Sequence, residues 1–189
     1  MTASEIAQKL NSSLSTTHRL AMALVAHGLL SRSHDGRFAP GIRFDSSRLA
    51  IAARPALARL RDATSETAQL WARRGDSRVC VEIAEALHEL RVFLPSGWLL
   101  PLSEGGSAGR VLRGEPTQRA AATSTGWIES VSQRTVGLGS VSAPVRVGDE
   151  IVATVGIVAP LPRIATTPGE QWGDLVVETA DELGTLLSQ

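Results

Sequence analysis

Apolar residues recur at helical spacing near both ends of the chain, and alternate or run together in the stretch between. The pattern is sharpest from Ser12 to Gly28. Thr17, Leu20, Ala21, Leu24 and Val25 fall on one stripe of a helix there, and Gly28 stands where a left-handed C-cap belongs. Ser15, Thr16 and Arg19 fall on another side near its N-terminal end, with Ser12 and Ser13 just before. Upstream, Thr2-Ala3-Ser4-Glu5 has the spacing of a capping box, which predicts a helix from Ala3 that buries Ile6, Ala7 and Leu10. Asn11-Ser12-Ser13 is a tight polar turn between the two helices.

After Gly28, Leu29-Leu30-Ser31-Arg32 and Arg37-Phe38-Ala39 flank an Asp35-Gly36 turn, the signal of a short hairpin. Two helices joined by a tight turn form a helix-turn-helix pair, and the hairpin would be its wing. A hydroxyl-rich, Arg-bearing helix start suits insertion into a DNA major groove. Ser12, Ser13, Ser15 and Thr16 would reach phosphates and base edges, and Arg19 a guanine or the backbone. Arg32, His34 and Arg37 decorate the wing. A small helical pair with a hairpin and no nucleic-acid role would carry the same motif.

Pro40-Gly41 closes the hairpin. Arg43 to Arg54 reads as a linker helix, and Pro55 suits the first turn of a new helix with Leu57 and Leu60 facing inward. The expected organisation is therefore a DNA-binding domain over 1–41, a linker helix over 42–54 and a second domain over 55–189. Within the second domain, Thr67–Arg73 turns at Gly75-Asp76 into Arg78–Ala84, where Val79, Val81 and Ile83 alternate with Arg78, Cys80 and Glu82 as on a strand with two unlike faces. Leu90–Leu94 is a third extended run, and short turns argue an antiparallel meander. Gly126 starts another strand, while Val141–Val145 and Ile151–Val158 read as a buried hairpin. Thr167-Pro168 opens a C-terminal helix packed through Leu175, Val176, Thr179, Leu183, Leu186 and Leu187. The fold class is α+β, with about six antiparallel strands and flanking helices.

Between these elements, Ser103–Gly109 is a glycine-rich loop opening a helix at Arg110-Val111-Leu112. Such a loop exposes backbone N–H groups that bind a carboxylate or phosphate, and it can equally be a plain connecting loop. It lacks the Gly-Lys-Ser/Thr ending of a nucleotide loop, which excludes ATP or GTP chemistry of that kind.

Charge sharpens the division. The 189 residues carry no net charge, yet residues 1–54 hold seven Lys/Arg against three acids, and residues 55–189 hold twelve against sixteen. A basic head on an acidic body fits a DNA-reading module joined to a sensing module. The single Cys80 allows neither an internal disulfide nor a multi-cysteine zinc site, which fits a reducing cytoplasm, and no apolar run is long enough for a membrane helix. His18, His27, His34 and His88 are dispersed without metal-ligand spacing, Cys80 lies in no nucleophile motif, and Ser140 and Ser142 lack a nucleophile-elbow pattern. No enzyme activity, metal or cofactor is expected.

SEIAQKLNSSLSTTHRLAMALVAHGLL followed by DGRFAPG resembles the winged helix-turn-helix of IclR-type bacterial regulators. The resemblance continues through LRDATSETAQLWARRGD and GWLLPLSEGGSAGRVL to GLGSVSAPVRVGDEIVATVGIVAPLPRI, and its second half is most similar to the branch controlling amino-acid biosynthesis in high-GC bacteria. It implies a GAF- or profilin-like sensor fold over 55–189, pairing through the linker helix as a homodimer or tetramer, and a small-molecule effector beside double-stranded operator DNA. It also implies effector contacts at Leu100, Gly106, Ser107, Ser130, Ser140, Gly156 and Val158, with backbone N–H groups of Gly106 and Ser107 facing a carboxylate. The hydroxyls at Ser130 and Ser140 stand where relatives that bind small oxo-acids carry acidic or thiol groups. The stretch from Glu115 to Thr125 is shorter than such domains usually have.

Such winged modules place another helix ahead of the capping box, and here Met1 stands where that helix should have ended. The resemblance thus implies either a start placed too far downstream or a truncated module, with Leu20, Leu24 and Val25 short of cover. The expected function is a DNA-binding regulator controlled by a small metabolite, a carboxylate or amino acid. The alternative is a ligand-sensing, oligomerising protein that no longer binds DNA.

Overall fold

The computed structural model describes residues 1–27, 29–33, 35–40, 42–119 and 126–188. They form two compact units, Met1–Leu49 and Ala50–Gln189.

In the first unit, side-chain caps set where the helices start. The Thr2 hydroxyl accepts from the Glu5 N–H and the Glu5 carboxylate accepts from the Thr2 N–H at 2.8 Å, closing the expected capping box at the head of α1 (Ala3–Lys9). Ser13 is the N-cap of α2 (Leu14–Ala26), its Oγ accepting from the Thr16 N–H at 3.1 Å. At the far end the Leu29 N–H bonds back to the Leu24 carbonyl, and Gly28, the expected C-cap, lies outside the described residues. Strands β1 (Leu30–Arg32) and β2 (Phe38–Pro40) pair antiparallel across the turn at Gly36, whose φ of 79° suits glycine.

The core of this unit is narrower than the apolar stripe predicts. Ala7, Thr17, Ala21 and Phe38 are buried, but Leu10, Leu20 and Leu24 are exposed. The helical period identifies a face; it cannot say how much of that face a neighbour covers.

Helix α3 (Ile42–Thr64) is continuous, with Pro55 inside it, where the sequence suggests a linker helix followed by a new one. Proline removes one rung of the hydrogen-bond ladder, at a cost of about 3 kcal/mol. Ala53, Ala56, Leu57 and Leu60 are buried on both sides of that position, and their common burial offsets the lost rung.

The second unit is built on an antiparallel sheet: β3 (Thr67–Arg74), β4 (Ser77–Ala84), β5 (Leu99–Pro101), a two-residue β6 (Gln118–Arg119), β7 (Gly126–Val131), β8 (Leu138–Val147) and β9 (Glu150–Pro160). Its order is β5-β4-β3-β9-β8-β7-β6, so the expected β8–β9 hairpin lies at the centre and pairs on into β3. The third strand of the meander is Leu99–Pro101, not Leu90–Leu94. That run has Leu90 and Phe93 exposed, and it is held by side-chain bonds such as Thr67 Oγ1 donating to the Val92 carbonyl. Alternation marks extended chain but does not say which segment wins the free edge.

Two helices complete the unit. α4 (Gly106–Leu112) follows the glycine-rich loop, and α5 (Pro168–Leu187) is capped by Thr167. α5 buries Trp172, Val176, Val177, Thr179, Ala180 and Leu183, whereas Leu186, predicted on the stripe, is exposed. The helix comes close to β7 because Gly169 and Gly173 leave room for the Trp127 indole. A Cβ at either would stand 2.1 or 2.3 Å from the ring. Residues 120–125, within the small-residue segment, lie outside the described residues.

Candidate functional site

In the first unit the residues predicted to contact DNA lie at the start of α2 and in the hairpin. Ser12, Ser13, Ser15 and Arg19 are exposed and Thr16 is partly so, with Ser15 and Arg19 four residues apart on one face. Ser13 also hydrogen-bonds to the Thr16 hydroxyl at 2.8 Å, so its role is split between capping and display. Arg32 is exposed, with its guanidinium 5.8 Å from the Phe38 ring centre, and the His18 ring meets the same phenylalanine edge-on. Arg37 pairs loosely with Glu5 at 3.7 Å, both half exposed, a contact worth little in water. His34 lies outside the described residues.

In the second unit, two rows of side chains cross the sheet. Strand register aligns Gln69, Gly156 and Ser142 in one row, and Thr67, Val158, Ser140 and Ser130 in the next. Gly156 is required there: a Cβ would stand 2.3 Å from Ser142 Oγ and 2.4 Å from the Val141 carbonyl. α4 lies over these rows, and its Ser107 hydroxyl lies 2.8 Å from both Ser140 Oγ and Ser142 Oγ. Between helix and sheet is a recess lined by Gln69, Trp71, Arg78, Ser107, Gly156 and Val158 among others. A second hollow adjoins it, sharing Gly106, Arg134, Ser140 and Val158 and adding Ser130.

Five of the seven expected effector positions, Gly106, Ser107, Ser140, Gly156 and Val158, thus line the recess, and Ser130 lines the hollow beside it. Leu100 does not: it is buried in an apolar cluster with Trp71, Cys80, Leu102 and Leu112. Arg78, Arg134 and Gln69 line the space without having been predicted. The alternation in β4 is the available signal, but it distinguishes two unlike faces, Val79, Val81 and Ile83 against Arg78, Cys80 and Glu82, without saying which is covered. The structure buries Arg78 and Cys80 most deeply, at 2% and 0% exposure.

Arg78 is unusual for a buried cation. Its Nη1 donates to the Gly105 carbonyl at 2.7 Å, and the guanidinium lies 5.3 Å from the Trp71 ring centre. Nε has no hydrogen-bond partner, and no carboxylate pairs with the group, among the described residues. Burial lowers its pKa to about 10, the charges of Arg134 and Arg113 act the same way, and Glu104 opposes them. The side chain stays charged at neutral pH, and the Gly105 carbonyl, the Trp71 ring and the Glu104 charge offset its burial only in part. Cys80 is a buried thiol pushed up to about 12 by burial and by the Glu82 charge, which suits packing and not nucleophilic work. No group of metal-ligating side chains occurs among the described residues, and none of the described helices is long and apolar enough to cross a membrane.

Residues 1–34 match the IclR helix-turn-helix domain family. The chain is 28% identical to the HTH-type transcriptional regulator BhcR of Paracoccus denitrificans, over 97% of this chain and 79% of that protein. It is 26% identical to the HTH-type transcriptional regulator KipR of Bacillus subtilis, over 82% of this chain and 64% of that protein. Among solved structures, the IclR protein of Thermotoga maritima superposes with a TM-score of 0.63 at 19% identity, covering all of this chain and 92% of that one. An IclR homologue from Microbacterium hydrocarbonoxydans, solved with 4-hydroxybenzoate, gives 0.60 at 19% identity, covering 98% and 90%. The capped helix pair with its hairpin thus matches the IclR helix-turn-helix family over residues 1–34, and the chain as a whole is similar to two HTH-type transcriptional regulators and shares the fold of solved IclR proteins.

Proposed function

We propose that this protein binds operator DNA through α2 and the hairpin, and that a small carboxylate-bearing metabolite in the second unit controls that binding. The observation that carries the sensing half is the recess between α4 and the sheet, where serine hydroxyls, an amide and two arginines converge on one space. The bound 4-hydroxybenzoate of the Microbacterium homologue supports a carboxylate as the class, with amino acids or their precursors first among candidates. The DNA half is supported by the exposed hydroxyls and Arg19 at the start of α2.

The mechanism is a population shift. A ligand that binds one conformation better favours one spacing of paired helix-turn-helix modules, and operator affinity follows that spacing. This requires a homodimer or tetramer. The proposed division is a DNA-binding module over 1–41, a connecting segment over 42–54 and an effector domain over 55–189, working in the cytoplasm without enzymatic activity.

The test is a gel-shift titration of the full chain on the DNA upstream of its own gene, at one fixed salt concentration, with and without a panel of small carboxylates. Retarded DNA whose midpoint moves with one acid supports the reading. The exposed Leu10, Leu20 and Leu24 favour one alternative, a ligand-sensing oligomer that does not bind DNA. Acid binding without any retarded DNA would establish it.

A further inference from the structure

Two buried side chains at the recess each keep one donor atom unpartnered among the described residues. Arg78 is 2% exposed with Nε unpartnered, and Gln69 is 7% exposed with Nε2 unpartnered among the described residues. Both line the same space. The orientation of the Gln69 amide is dictated by its neighbour: the Trp71 indole N–H can only donate, and it does so to Gln69 Oε1 at 3.0 Å. The amide N–H₂ is therefore the end left over. A buried donor without an acceptor is costly, and a buried cation without an anion is costlier, so a fold that keeps both at one recess leaves them for an acceptor that arrives.

The backbone keeps that place for the guanidinium. A Cβ on Gly109 would stand 1.9 Å from Arg78 Nη1, so the glycine leaves the guanidinium its place beneath α4. Arg134 adds a second cation to the wall, and Trp71, Ile157 and Val158 supply apolar surface beside the donors. Donors of one sign next to an apolar floor fit a carboxylate carried on a short apolar body.

Resting on the sensing reading above, we infer that Arg78 and Gln69 together anchor the carboxylate of the effector, with Trp71 holding both in place. The anchor is thus on strands β3 and β4, and the N-terminal turn of the short helix α4 serves as wall. The Trp71 indole fixes the amide through its N–H and faces the guanidinium with its ring.

The experiment uses the full chain, with pyruvate, 2-oxoisovalerate, L-valine and 4-hydroxybenzoate as probes, each beside its neutral primary amide. Thermal shift and calorimetry read binding. At least one acid should bind while its amide does not. Arg78→Met should weaken that acid about thirtyfold or more. Gln69→Glu should abolish its binding while raising the melting temperature of the unliganded protein, because the new carboxylate still accepts from Trp71 and supplies Arg78 with an internal counter-ion. That rise separates anchoring from a scaffold role, since a structural glutamine would lose stability on the same change. Acids and amides binding equally well, or either variant binding the acid as the unmutated chain does, would overturn the anchor and leave the metabolite-sensing reading standing. No acid binding to the unmutated chain would overturn both.

Discussion

Cys80 shows how a residue's surroundings override its intrinsic chemistry. Its thiol is fully buried and its pKa is pushed up to about 12 by burial and by Glu82, so almost no thiolate exists near neutral pH. Alkylation by iodoacetamide at pH 8 should leave the native protein unmodified and label it fully in denaturant. Fast labelling of folded protein would contradict the burial. Arg19 is the opposite case, exposed on the same helical face as Ser15. Arg19→Ala should weaken operator binding by about 1–3 kcal/mol if the side chain reads a base, with the fold unchanged by circular dichroism. Unchanged affinity would remove Arg19 from the reading surface. At the candidate site, the resemblance named Gly106, Ser107, Ser140, Gly156 and Val158, which line one recess, and Ser130, which lines the hollow beside it. Arg78 and Gln69 were not legible, because alternation separates two strand faces without saying which is covered, and only the covering helix α4 decides that.

At the scale of elements, glycines decide how closely helices approach the sheet. Gly173 faces the Trp127 indole, where a Cβ would come 2.3 Å from Nε1. Gly173→Ala should gain a little helix propensity and lose more by forcing α5 away from β7. The expected net loss is about 1–3 kcal/mol, read as a lower urea midpoint. A midpoint that rises would mean that the indole moves aside freely and that α5 does not depend on this close approach. The capping box, the α2 start at Ser13, the hairpin around Gly36 and the central β8–β9 pair were all visible as local patterns. The continuity of α3 through Pro55 was not, since proline marks a helix break wherever burial on both sides is unknown.

For the whole molecule, zero net charge conceals a basic first section: residues 1–54 carry seven Lys/Arg against three acids. Operator binding should therefore fall as salt rises even though the protein is neutral overall. If Arg19 instead contacts a phosphate, removing it should reduce the slope of log affinity against log salt by about 1. A salt-independent affinity would exclude phosphate contacts as the main source of binding. What the amino-acid order determined alone are features written within a few residues of one another: caps, turns, the helical and alternating periods, the charge division and the family resemblance. Each depends on interactions a few positions apart, so the chain carries them without knowledge of its fold. Tertiary structure decided which apolar residues are covered, leaving Leu20 and Leu186 exposed and taking Leu100 into a core cluster. It also decided that Arg78, Gln69 and Ser142 share one recess, although they come from three different strands. Burial and the meeting of distant strands depend on what packs across the space, and no local pattern encodes that.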